Sequence, residues 1–334
     1  MLDQLKEDIS KKYSNITFDL KDWDDVINQS SEVSVFYLKS MVDYYNSYFE
    51  AQNFSFLVYM NDQPIGLFPF FVYKESNQWV AKSNVWGVIS PLFISTISSR
   101  LRKKLEKNIA EIALYIAKNL KIDRIEIFEH KRHISNWYSY WMSKANNDFL
   151  TYHLSINLSQ SIEDIRHDFR KSYKPLISKA LKIWDVEVCN DNLDNNFEEF
   201  RRLHLKVAGR ETRNINSWTI QKNQIKNHEA FLVTVKSGKE LIGGGFFNYS
   251  NFMGLYTVGA YNSELVNESI SHVVQMVAIL KLKELGCSVY DLGQKSTYLN
   301  NAPTSSKEIS ISYFKEGFAG NLHAQPHLVV FIDE

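Results

Sequence analysis

Three stretches of the sequence concentrate side chains able to do chemistry. Residues 166–182 hold Arg166, Arg170, Lys171, Lys174, Lys179 and Lys182, with Tyr173 among them. Arg166, Arg170 and Lys174 are four apart, which aligns them on one face of a continuous helix. Pro175 fits a first helical turn, where free backbone N–H groups beside Lys and Arg make an anion site; a solvated basic face is the plainer alternative. The run Gly209-Arg210-Glu211-Thr212-Arg213, ahead of Trp218 and Gln221, interrupts helical sequence with two guanidinium groups and a carboxylate. Arginine suits carboxylate or phosphate oxygens, and a local Arg–Glu pair tying down a loop explains the same residues equally. The third stretch is Tyr290-Asp291-Leu292-Gly293-Gln294, followed by residues 307–318. Asp291 to Gln294 end a predicted strand, where open α/β sites tend to lie; a turn or cap role fits Asp291 as well.

Other motifs argue by their absence. There is no GxxxxGK[ST] phosphate loop, no HExxH and no GxSxG. No metal site is expected: neither Cys189 nor Cys287 has a partner at CxxC spacing, and Pro326 spoils a helical presentation of His323 and His327. His130 and His133 follow a strand, where a spacing of three aligns nothing. Gly243-Gly244-Gly245 is flanked by apolar residues and followed by another strand, so it reads as a bulge or close backbone approach within a sheet.

Hydrophobic period supplies the elements that must position these residues. Residues 1–50 read as helix-rich. A hairpin across Asn61-Asp62-Gln63, extended segments at 79–86 and 88–94, an amphipathic helix at 98–119, a strand at 124–128 and a helix at 135–145 follow. The second half reads as a strand at 151–158, helical sequence at 162–184 broken near Pro175, a strand at 186–189 and a helix at 195–207. A hairpin of 231–235 and 241–249, a strand at 252–261, a helix at 269–285, a strand at 288–292 and a strand-like 308–313 complete it. Both halves run helices, hairpin, strand, long helix, strand.

The chain has 334 residues, which fits two compact domains, predicted at 1–150 and 151–334. Thirty-eight basic and 38 acidic residues cancel, which excludes a polybasic nucleic-acid arm. Two cysteines are too few for a disulfide framework. The N-terminus lacks the pattern of a signal peptide, and no apolar run approaches a membrane span. The chain reads as cytoplasmic, with no membrane insertion.

Residues 151–334 resemble the FemABX-type aminoacyl and peptidyl transferases and their FemAB-like relatives, within the GNAT acyltransferase superfamily. The resemblance rests on Arg170-Lys171-Ser172-Tyr173-Lys174, the stretch from Tyr256 to Tyr261 with the helix at 271–281, Tyr290-Asp291-Leu292-Gly293, and Tyr313-Phe314-Lys315-Glu316-Gly317-Phe318. For residues 1–150 it is architectural. It implies an α/β (α+β) fold of two tandem GNAT-like domains, with mixed sheets flanked by helices. It also implies for Lys315 oxyanion stabilisation or donor contact, with Phe314 packed beside it. Two features depart from the wider pattern: no helical arm is inserted, and Asn267-Glu268-Ser269-Ile270-Ser271-His272 stands where acetyltransferases carry a Q/RxxGxG/A pyrophosphate loop.

The expected activity is N-acyl transfer to a primary amine on a sugar- or peptide-linked cell-envelope or polysaccharide precursor. The donor is a co-substrate, aminoacyl-tRNA or acyl-CoA, and no tightly bound cofactor is expected. Lys315 is expected at the oxyanion, with Asp291 or Glu308 as base once burial raises its pKa. Arg170, Lys174 and Arg213 are candidates for the phosphates of a nucleotide-linked acceptor or of tRNA; Tyr173, Arg210, Tyr256, Gln294 and Phe314 complete the substrate-binding set. The rival reading is a non-catalytic ligand-binding protein on a degenerate double scaffold, favoured if Lys315 faces solvent away from any cleft.

Overall fold

A computed structural model describes residues 2–131, 133–189, 193–296 and 304–332. Contacts divide the chain into two units, Met1–Thr151 with Ala324–Glu334, and Tyr152–His323. The first unit begins with α1 (Leu2–Lys12), β1 (Ile16–Thr17), α2 (Trp23–Asn28) and α3 (Lys39–Tyr48). Strands β2 (Gln52–Asn53), β3 (Phe56–Met60), β4 (Gln63–Phe68), β5 (Phe71–Glu75), β6 (Gln78–Lys82) and β7 (Leu92–Phe93) follow. Then come α4 (Ser99–Asn119), β8 (Arg124–Phe128), α5 (Asn136–Met142) and β9 (Asn147–Asn157), whose last residues belong to the second unit. That unit continues with α6 (Ile162–Asp168), α7 (Tyr173–Ile183), β10 (Asp185–Val188), α8 (Leu193–Ala208) and α9 (Ile215–Lys226). Next are β11 (Ala230–Ser237), β12 (Glu240–Tyr249), β13 (Met253–Tyr261), α10 (Ile270–Glu284), β14 (Val289–Gln294), α11 (Ser306–Glu316) and β15 (Asn321–Phe331).

In the first unit β3 and β4 form the expected hairpin, turning at Asn61 and Asp62, both at positive φ. β8 lies between β6, its parallel neighbour, and the end of β15, its antiparallel one. Ser98 caps α4, whose Leu105, Ile109, Ile112 and Ile116 bury one face in a core with Phe56, Phe68, Trp137 and Trp141. That stripe is what the spacing of apolar residues dictates.

In the second unit β10, β11, β12 and β13 are successively antiparallel, β13 pairs parallel with β14, and β14 pairs antiparallel with β9. The glycine triplet explains how helices pack on both faces. A Cβ on Gly243 would come 2.4 Å from Ile270 Cγ2 and one on Gly245 2.8 Å from Val274 Cγ1, whereas one on Gly244 would meet Phe200 at 3.0 Å. Alternation along a strand thus sets α10 against one face and α8 against the other.

Several expectations fail for identifiable reasons. Residues 308–313 are helical, within α11, because Ser305 and Glu308 form a reciprocal capping box. The 162–184 helix does break near Pro175 as expected, at Phe169–Ser172, and Pro175 sits in the first turn of α7. Arg166, Arg170 and Lys174 therefore do not share a helical stripe. α9 escapes a hydrophobic-period reading because it buries the polar Ser217, Gln221 and Gln224 beside Trp218. Residues 324–334 group with the first unit, since His327–Phe331 pair with Phe128–Arg124.

Candidate active site

The parallel strands β13 and β14 are paired only from Met253↔Val289 to Leu255↔Asp291. Beyond that point they part, β13 continuing to Tyr261 and β14 to Gln294. Gly293 stands at φ +87° just past the last pair. A Cβ there would lie 3.2 Å from the Nζ of Lys315, so glycine leaves room for the ammonium.

Lys315 lies in the last turn of α11, where the helix dipole favours a cation. The end of β14 is tied to that helix: Lys295 pairs with Glu316, and Ser296 N donates to Ser312 Oγ at 2.8 Å. The ammonium is 6.0 Å from the Tyr256 ring centroid. Among the described residues it has no hydrogen-bond or ion-pair partner. Burial lowers its pKa, and the charge of Asp291 pulls the other way.

Asp291 is held in place. Its Oδ1 accepts from Gly293 N at 2.6 Å, and its Oδ2 lies 3.8 Å from His153 Nδ1. Gln294, the last residue of β14, is paired with His153. Glu308 is exposed at the opposite end of α11. Its bonds with Ser305 hold its pKa below the usual carboxylate value, so it lacks the raised pKa sought in a base.

A second wall comes from the start of α7. Tyr173 is buried and donates its hydroxyl to Phe314 O at 3.0 Å, while Arg170 Nη1 donates to that hydroxyl at 3.0 Å. Arg170 Nη2 donates to Tyr313 O at 3.1 Å, and the guanidinium lies 3.7 Å over the Tyr313 ring. His272 packs edge-on against Tyr173 and Phe314 at 4.4 and 5.0 Å. Burial, then the charge of Arg170, lowers its pKa to about 4, so the ring is neutral near pH 7.

The structure thus brings together Lys315, Phe314, Asp291, Gln294, Tyr256, Tyr173 and Arg170. Lys174 is partly buried on α7. Arg213 is elsewhere, 4.7 Å from the Trp218 ring centroid, and Trp218 packs with Phe200 and Phe246 on the α8 face of the sheet. Tyr173 packs with Phe247 and Ile270 on the α10 face, so Arg170 and Arg213 are carried on opposite faces. Arg210 is exposed in the α8–α9 loop. Sequence reasoning missed His272, Gln275, Tyr261 and Tyr313. The visible signal was polar His272 and Gln275, three apart, in the mostly apolar first ten residues of α10.

No metal-binding group of three His, Cys, Asp or Glu side chains occurs among the described residues. No helix there is long and apolar enough to cross a membrane. No family model matches the chain, and no curated protein matches it in sequence. Solved structures do match it. FemX is 12% identical, over 98% of this chain and 96% of that one, with a TM-score of 0.62. L-PGS from Bacillus licheniformis is 11% identical, over 99% of this chain and 92% of that one, with a TM-score of 0.59. At such identities the likeness is one of fold: the chain has an α/β fold shared with FemX and L-PGS.

Proposed function

We propose that this protein is an N-acyltransferase in which a primary amine attacks an activated acyl group beside Lys315. The observation that carries the reading is the unpartnered ammonium held at the divergence of β13 and β14. Acyl transfer passes through a tetrahedral oxyanion, and a fixed donor facing it is often the largest catalytic contribution. The likeness to FemX and L-PGS supports aminoacyl or acyl transfer, with aminoacyl-tRNA or acyl-CoA as a cytoplasmic co-substrate. The amine acceptor would be a small or nucleotide-linked cell-envelope precursor, and each half of the chain a GNAT-like domain. Asp291 takes the part of a charge neighbour to Lys315, and Arg170, Tyr173 and Phe314 form a wall of the substrate site. The inward ammonium tells against a merely scaffolding role.

Lys315→Met keeps most of the side-chain length and removes the charge and its donors. Transfer from charged tRNA or acyl-CoA to amine acceptors is expected to fall about 10²–10³-fold, with the folded state intact by thermal unfolding. Wild-type rates in the variant would end the assignment.

A further inference from the structure

Around Trp218, on the α8 face of the second unit, the fold leaves several hydrogen-bonding groups unused. Arg213, in the loop between α8 and α9, holds its guanidinium carbon 4.7 Å from the Trp218 ring centroid. Its Nε and Nη1 are shielded from solvent and bonded to nothing, and among the described residues no carboxylate pairs with it. Thr212 Oγ1, next to it in the chain, is buried without a partner as well. Gln221 follows Trp218 by one turn of α9 on the same buried stripe. It is 1% exposed, and neither its amide oxygen nor its amide nitrogen makes a hydrogen bond. Polar groups buried this well are as a rule bonded. An open guanidinium edge and a whole open amide beside one tryptophan therefore describe a site for a ligand, and the outer edge of the half-exposed Arg213 gives access to it.

The site adjoins the divergence of β13 and β14. Thr257 is the extra residue of a bulge in β13, since Phe246 pairs with Val258 and Phe247 with Tyr256. It lies two residues past Leu255, the last residue of β13 paired with β14. Its hydroxyl donates to Asn248 Oδ1 at 2.7 Å, and Asn248 Nδ2 donates to Gln224 Oε1 at 2.9 Å. This chain of bonds ends on α9 one turn beyond Gln221.

Charge selects the ligand. His204 of α8 packs edge-on against Trp218, with ring centroids 5.3 Å apart. Burial, then the charge of Arg213, lowers its pKa to about 4, so near pH 7 the ring is neutral and adds no second positive charge. One guanidinium balances a carboxylate, which it binds through two parallel N–H donors; a phosphate dianion would be left half compensated. The Gln221 amide adds donors for the same carboxylate and an acceptor for a neighbouring N–H.

We propose that Arg213, Gln221 and Trp218 bind the carboxylate of a small amine of the amino-acid class. This deepens the acyl-transfer reading above and rests on it in one respect: the amine of that molecule is the acceptor that enters the divergence from the α8 face.

The test uses ω-amino acids of increasing length, glycine to 6-aminohexanoate, each against its carboxamide, with inorganic phosphate as the rival anion. Binding is measured by calorimetry without a donor, and transfer from charged tRNA or acyl-CoA is measured separately. The best-fitting acid is expected to bind about 10–100-fold more tightly than its amide. Arg213→Met should abolish that preference and leave thermal unfolding intact, since the arginine makes no internal hydrogen bond to lose. Gln221→Leu should weaken binding of the acid and keep the preference. Equal affinity for acid and amide at every length, a preference that survives Arg213→Met, unchanged affinity in Gln221→Leu, or phosphate binding more tightly than any of the acids would each overturn the site. So would the absence of binding throughout the series. Transfer that shows no preference for the acids would overturn the inference and leave the acyl-transfer reading standing. Arg213-dependent binding of the acids without transfer from either donor would support the site and overturn that reading.

Discussion

Burial where β13 and β14 part disfavours the charged form of Lys315, and Asp291 offsets that effect only in part. The sign of each influence fixes a pH dependence. An ammonium that stabilises an oxyanion works below its pKa, so transfer should decline on an alkaline limb lying below the ordinary lysine range. Asp291→Asn removes the charge that raises this pKa and retains Oδ1 as acceptor for Gly293 N. The limb is then expected to move to lower pH in a kcat profile. An unmoved limb would mean that Asp291 does not set the charge of Lys315. The same lowered pKa has a stability consequence. The cost of burying the ammonium is present near pH 7 and is relieved as pH rises through the folded-state pKa toward the unfolded value. Lys315→Met removes that cost, so its melting temperature near pH 7 should match or exceed that of the wild type.

At the scale of elements, α11 and the first turn of α7 hold the site together through one close contact. Gly317 is the C-cap of α11 at φ −68°, a conformation any residue adopts, so it is not needed to turn the chain. Its small size is what counts: a Cβ would lie 2.2 Å from Tyr173 Cε2. Gly317→Ala is therefore expected to push the Tyr173 ring off Phe314 and cost about 1–3 kcal/mol by overpacking. Thermal unfolding and kcat should fall together, because the displaced ring disturbs the Phe314 and Lys315 turn; an unchanged melting temperature would refute the contact. The sequence showed that this segment mattered without showing its shape. Alternating polar and apolar residues at 308–313 suit a strand, but Ser305 and Glu308 close a helix cap at their start. The Phe-Lys-x-Gly-Phe run was legible through resemblance. The Tyr256–Tyr261 and Tyr290–Gln275 hydrogen bonds were not, because they come from three elements meeting and no spacing along one element encodes that.

At the scale of the molecule, periodicity located the long α4 and α10 and the strand pairs around them, since an amphipathic stripe is written locally. The destination of the last strand is not written that way. Residues 321–331 read His-Ala-Gln-Pro-His before any sustained apolar run, and Pro326 weakens a strand reading further. Yet His327–Phe331 pair with Phe128–Arg124, some 200 residues earlier in the chain, and bury Leu328 and Val330 in the first unit. His327 Nε2 also lies 2.8 Å from Thr151 Oγ1 in that unit. Removing residues 324–334 would strip β8 of its antiparallel partner and take away these two buried side chains, each worth about 1.5–3 kcal/mol of burial. Against the total stability of about 5–15 kcal/mol usual for a domain, that is a large fraction. The expected outcome is selective: amide hydrogen exchange should speed up in β8 and α5 while β11 and β12, in the other unit, keep their protection. Uniform loss of protection across β8, β11 and β12 would show that the two units do not open separately, and unchanged protection of β8 would show that β15 contributes little to holding the first one.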